Sequence, residues 1–149
     1  MIMTIQDILD QKGRRVITIG PYHTLDVVLA TLIQNSVGAL VVQNRIGDLL
    51  GIITERDLMR EVYNDADLQA VRVEDVMTRD LVTSNPDSDI EYVMAAMTEG
   101  RFRHMPIVDE AGRLAGIVSI GDIVKAKLEY VEEEVMIYKD FVTLDWRAS

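Results

Sequence analysis

Two short strings hold the groups in this sequence best placed to do chemistry: GIITERD at residues 51–57 and GIVSIGD at 116–122. Each runs from a glycine through apolar residues to a hydroxyl, Thr54 or Ser119. Three residues later comes a carboxylate, Asp57 or Asp122. Where a strand gives way to a helix, such a hydroxyl serves as N-cap and such a carboxylate stands at N3, completing a capping box. The corner has a second use. A helix N-terminus favours an anion, and a nearby carboxylate accepts hydrogen bonds from vicinal ribose hydroxyls, so a sugar-phosphate fits the pair. Capping explains one copy. Two copies facing each other across a pseudo-twofold axis would set such corners at the mouths of two related clefts.

The strings lie 65 residues apart, and the same offset organises most of the chain. Arg14 falls on Arg79, Thr18 on Thr83, Pro21 on Pro86, Val28 on Val93, Gly47 on Gly112 and Leu49 on Leu114. Upstream, TIQDIL resembles RVEDVM at a slightly longer offset, so the first copy carries about three extra residues near Asp10 to Gly13. Two copies are too few for a solenoid and suit a pair that buries a shared face.

Each copy reads as β-α-β-β-α. A short extended piece, VITI or LVTS, ends at a proline-containing turn. Thr24 or Asp89 then caps a helix whose stripe is Leu25, Val28, Leu29, Leu32 or Ile90, Val93, Met94, Met97. Asn35 and Gly100 stand where the helix C-cap is expected. Two strands follow, GALVV and LLGII or HMPIV and LAGIV, and the second runs into the hydroxyl-carboxylate corner and a further helix. The fold class expected is α/β (α+β): repeat 1 over 3–65, repeat 2 over 70–128, and a helical tail over 129–149.

Bulk composition narrows the function. With 48% hydrophobic and 27% charged residues, the 149-residue chain reads as a folded domain or two small subdomains sharing a core. Its formal net charge of −10 opposes nonspecific binding to nucleic acid or anionic lipid. The absence of cysteine excludes disulfides, thiolate metal sites and cysteine nucleophiles. His23 and His104 lack metal-ligand spacing, no phosphate-binding glycine loop is present, and Ser119 has no nucleophile elbow or evident base. No enzymatic machinery is visible. The N-terminus has no apolar core of signal-peptide length, and no stretch approaches the ~18 apolar residues of a membrane span, so the cytoplasm is the expected compartment.

The doubled segments VGALVVQNRIGDLLGIITERDL and FRHMPIVDEAGRLAGIVSIGDI, preceded by DIL and DVMT, resemble a tandem pair of cystathionine-β-synthase (CBS) domains over about residues 3–128. The resemblance implies a disc-like Bateman module whose two clefts bind adenine nucleotides: AMP, ADP, ATP, NAD or S-adenosylmethionine. Such modules sense ligand on behalf of an enzyme, channel or transporter, and they commonly stack as homodimers through their helical faces. Here the effector would be a separate, unidentified protein. By the same resemblance, Asp57 and Asp122 bind ribose with Thr54 and Ser119 as their hydroxyl partners. Adenine packs on Val16, Ile17 and Thr18 with Val37, Gly38 and Ala39, or on Leu81, Val82 and Thr83 with Phe102, Arg103 and His104. Each cleft takes its aspartate from one copy and its strand starts from the other. A ligand-free assembly protein acting through its dimer surface is the alternative.

The copies differ in cations. RFRHMP in the second contains Arg101, Arg103 and His104 where SVGALV in the first has none, and Arg56 is matched by Gly121. With the basic residue before one copy's aspartate reaching the other copy's ligand, Arg56, Arg103 and His104 are expected to converge on the Asp122 cleft, which would take a phosphate-bearing ligand first. In the tail, Val124, Leu128, Val131, Val135, Tyr138 and Val142 form a helical seam that packs in cis or on another chain, and Trp146 near the end favours a second chain if exposed.

Overall fold

The computed structural model describes residues 3–148. The side chains of Tyr138, Val142 and Trp146 lie outside the described residues. Along the chain run α1 (Ile5–Lys12), β1 (Thr18–Ile19), α2 (Leu25–Asn35), β2 (Ala39–Gln43), β3 (Leu49–Thr54) and α3 (Glu55–Tyr63). A short α4 (Val73–Val76) opens the second half, followed by α5 (Ile90–Gly100), β4 (His104–Val108), β5 (Leu114–Ser119) and the long α6 (Ile120–Ala148). The first sheet has order β1-β2-β3, with β1 parallel and β3 antiparallel to β2; the second is the antiparallel pair β4-β5.

The repeat is visible bond by bond. Ala39 pairs with Thr54 and His104 with Ser119, and both ladders carry an irregularity just before their turns. Gly47 and Gly112 close those turns at φ 93° and 79°, a region glycine enters freely. Both middle helices bury most of the expected stripe, Leu25, Val28 and Leu32 in α2 and Ile90, Val93 and Met97 in α5, but Leu29 is 41% exposed and Met94 only partly buried.

Three local expectations are corrected. The helix C-caps fall one residue later than Asn35 and Gly100, at Ser36 and Arg101, both left-handed at φ 52° and 58°. Gly100 answers to space instead, because a Cβ there would collide with the Phe102 ring. The strand expected over 81–84 shrinks to a single parallel bridge, Ser84 to Ile107. Proline accounts for it. In the first half the Val41 N–H donates to the Ile17 carbonyl at 3.2 Å, and the residue equivalent to Val41 is Pro106, which has no N–H to donate.

The larger departure from a simple repeat concerns α1 and α4. α1 does not pack on the half it precedes: Ile5, Ile8 and Leu9 are buried with Ile90, Val93, Met97, Met105, Ile107, Val118 and Ile123 of the second half. α4 does the converse, setting Val73 and Met77 among Leu25, Val28, Leu40, Ile53 and Leu58. The backbone ties match. Ile5 N–H donates to the Ser88 carbonyl at 2.9 Å, and Val73 N–H to the His23 carbonyl at 2.8 Å. Each half is therefore completed by the helix ahead of the other, as the crossing of a pseudo-twofold pair requires.

Candidate functional site

The two hydroxyl-carboxylate corners form as capping boxes. Asp57 Oδ2 accepts from the Thr54 N–H at 2.9 Å and the Thr54 hydroxyl at 3.1 Å, and the Asp57 N–H donates back to Thr54 Oγ1 at 3.3 Å. At the second corner Asp122 Oδ2 accepts from the Ser119 N–H at 2.8 Å and the Asp122 N–H donates to Ser119 Oγ at 3.1 Å. The glycine of each string makes room for the chain segment crossing behind it. A Cβ on Gly51 would lie 2.7 Å from the Thr78 carbonyl oxygen, and one on Gly116 would lie 2.7 Å from Leu9 Cδ2. Capping and close approach thus account for the motif as structure. What the corners face decides whether they also bind.

The Asp57 corner faces a cleft of about 600 Å³, within the range of small-molecule sites. Its walls come from both copies. Ile52, Thr54, Glu55, Arg56, Asp57, Met59 and Arg60 line one side; Thr78 to Val82 without Arg79, then Gly100 to His104 and Pro106, line the other. The cross-copy construction expected of each cleft is realised here: Asp57 of the first copy stands opposite Leu81, Val82, Phe102, Arg103 and His104 of the second. Ile52, Leu81, Val82, Phe102 and Pro106 supply apolar surface, while Arg56, Arg60, Arg101 and Arg103 outnumber the acids Glu55, Asp57 and Asp80. Asp57 is 8% exposed. Its Oδ1 faces an Arg60 guanidinium at 3.6 Å, a loose pair on an arginine that is 62% exposed.

The cations expected at the Asp122 cleft stand in the Asp57 cleft. Arg56, Arg103 and His104 line the Asp57 cleft, and the His104 ring also lies within reach of the Asp122 charge. Arg56 sits beside Asp57 in the first turn of α3, and Arg101 and Arg103 flank the α5-β4 turn, which opens on the same side. Arg56, the basic residue before Asp57, thus lines the cleft of its own corner. Arg60 and Arg101 belong to this group too. Arg60, one helical turn beyond Asp57, and the Thr78–Asp80 wall are not among the expected site residues.

The second corner is built differently. Lys12 Nζ lies 2.7 Å from Asp122 Oδ2 and donates to the Ile117 carbonyl at 2.9 Å. In the first half the matching carbonyl, that of Ile52, accepts the Thr78 backbone N–H at 2.9 Å. A lysine from the inserted residues has taken over a backbone position and with it the carboxylate. Burial raises the Asp122 pKa, but the Lys12 ammonium and the Ser119 donors outweigh it and hold the carboxyl below its ordinary value. Of the residues expected to form this cleft's adenine wall, Ile17 packs against the first core and Ala39 is buried in β2. Thr18 of β1 pairs with Val41 of β2, Val37 is exposed, and Val16 stands just ahead of β1. Gly38 looks onto Glu55 and His104: an added Cβ would lie 3.3 Å from Glu55 Oε1 and 3.6 Å from His104 Cε1. Thr83 does not line the Asp57 cleft. Burial lowers the His104 pKa, against the attraction of Glu55 and Asp122, which favours the neutral ring.

Comparison with known proteins now bears directly on this architecture. The CBS domain family model matches residues 3–64 and again 73–129. The chain belongs to the CBS domain family. It is 34% identical over 142 residues to a mitochondrial CBS domain-containing protein of Arabidopsis thaliana, covering 89% of this chain and 68% of that one. Among solved structures, a CBS-domain containing protein from Agrobacterium tumefaciens superposes with a TM-score of 0.81 at 42% identity, covering 85% of this chain and 95% of that chain. A CBS domain pair solved in complex with 5′-methylthioadenosine and S-adenosyl-L-methionine superposes with a TM-score of 0.79 at 25% identity, covering 87% and 99%. Among the described residues, no helix is long and apolar enough to cross a membrane and no cluster of His, Asp or Glu could hold a metal ion.

Proposed function

We propose that this CBS pair is a ligand-sensing module that binds an adenine nucleotide reversibly in the Asp57 cleft. One observation carries the proposal: an apolar slot, a capped carboxylate and four guanidinium groups converge on one cleft of nucleotide size. Asp57, already oriented by Thr54, offers Oδ1 to ribose hydroxyls once Arg60 swings aside. Leu81, Val82 and Phe102 bracket the base. Arg56 and Arg103 meet the phosphate, where a planar fork suits the oxygens. AMP, ADP, ATP, NAD and S-adenosylmethionine share the adenosyl group this arrangement reads, and the related pair's adenosyl ligands support that class. We assign the module no catalytic step and place it in the cytoplasm, acting on a separate effector. The ligand acts by favouring one arrangement of the module or its partners over another.

The phosphate assignment separates binding from mere shaping of the protein. Arg56→Ala and Arg103→Ala, titrated by calorimetry, are expected to weaken AMP by about tenfold each and adenosine much less. Equal losses for the two ligands would mean that the arginines support the fold and not the phosphate.

Apolar side chains left on the outer helical faces support a homodimer. Ile33 on α2 and Met59 on α3 are 68% and 70% exposed, and Tyr92 on α5 and Leu128 on α6 are 67% and 57% exposed. Large apolar side chains exposed on all four helices are what a surface covered by a second copy would present. Light scattering is expected to give twice the 16.8 kDa chain mass; a monomeric mass at micromolar and higher concentrations, with and without nucleotide, would overturn the dimer.

A further inference from the structure

We propose that Lys12 is a built-in occupant of the second corner, holding Asp122 in the place of a ribose and limiting the chain to one nucleotide, at Asp57. The proposal rests on the nucleotide assignment above and goes beyond it, because it makes the two corners unequal by construction.

The two carboxylates meet their cations in different ways. Arg60 stands 3.6 Å from Asp57 on the same helix and is mostly exposed, so it leaves easily. Lys12 stands 2.7 Å from Asp122, with 32% of its side chain exposed against 26% for the aspartate, and it arrives from a different element. That element is anchored. Lys12 is the last residue of α1, and Leu9, one turn earlier, is buried against the second core at the seat that Gly116 provides. The ammonium also satisfies the Ile117 carbonyl at 2.9 Å, so displacing it uncovers two acceptors at once.

A ribose hydroxyl competes poorly for that position. It is neutral, so its bond to the carboxylate carries charge on one side only, whereas the ammonium adds Coulomb attraction between two charges. The second corner also offers a phosphate less in return. The position matching Arg56 is Gly121, and those matching Arg101 and Arg103 are Ser36 and Gly38. The extra residues near Asp10 to Gly13, which have no counterpart ahead of the second copy, lie at the end of α1 and include the lysine that closes the corner.

Equilibrium dialysis with AMP and with adenosine, on the full chain, tests this. The wild type is expected to bind one ligand per chain, and Lys12→Met, which keeps the aliphatic stem and removes the charge, to bind two. Lys12→Gln repeats the test should the methionine variant fail to fold, and circular dichroism reports folding in both. In the Lys12→Met background, Asp57→Asn is expected to leave one site of the two. Two sites in the wild type, or a single site in the lysine variants that Asp57→Asn removes, would overturn the latch while leaving the Asp57 assignment intact. Absence of both ligands from every folded variant would overturn the nucleotide assignment itself, and the latch with it.

Discussion

Asp57→Asn is expected to weaken nucleotide binding by roughly 10- to 100-fold, the effect of removing a charged acceptor from a largely buried hydrogen-bond pair. The amide keeps the shape of the carboxylate and one acceptor oxygen, so the Thr54 N–H can still be satisfied and the start of α3 preserved. What disappears is the charge that makes Oδ1 a strong partner for two ribose hydroxyls. Asp122→Asn is the internal control. Its carboxylate is held by Lys12, so the substitution is expected to loosen the end of α1 and leave AMP affinity near the wild-type value. Calorimetry on the two variants decides between the corners. An unchanged affinity in Asp57→Asn would remove this residue from the site, and a large loss in Asp122→Asn alone would move the site to the other corner.

The second large effect is on stability. Leu9→Ala is expected to cost about 2–5 kcal/mol, as for other fully buried leucines cut back in a rigid core. Leu9 is 1% exposed and packs onto Gly116 among residues of the second half. The loss should therefore appear in a part of the chain more than 80 positions away in sequence. Hydrogen exchange is expected to show lost protection in α5, β4 and β5 before α2, β2 and β3. Loss centred on α2 instead would contradict the crossed packing of α1.

The crossing shows what the sequence could and could not convey. A 65-residue offset matches turn to turn and cap to cap, so Gly47 with Gly112, Thr54 with Ser119 and the stripes of α2 and α5 were legible at once. Those features depend on neighbours within a few residues. Which half α1 joins depends on packing across the pseudo-twofold, and Ile5, Ile8 and Leu9 are apolar enough for either core. The placing of the cations has the same cause. Arg56, Arg101 and Arg103 were recognised as a set, but their cleft follows from the side on which α3 and the α5-β4 turn open. Lys12 carried a faint signal, a basic residue in the one segment where the copies differ in length. Pro106 carried a plain one, since a proline inside an expected strand removes a ladder donor. Its effect falls on the neighbouring segment, where Ser84 keeps only a bridge to Ile107.

The crystal structure of the protein grown with saturating AMP tests the central claim most directly. The expected result places the adenosyl group in the Asp57 cleft, with both ribose hydroxyls on the Asp57 carboxylate, the base against Leu81, Val82 and Phe102, and the phosphate among Arg56, Arg101 and Arg103. Lys12 is expected to remain on Asp122. AMP bound at Asp122 with the Asp57 cleft empty would contradict the assignment, as would a cleft left empty by AMP and, in parallel crystals, by ATP, NAD and S-adenosylmethionine.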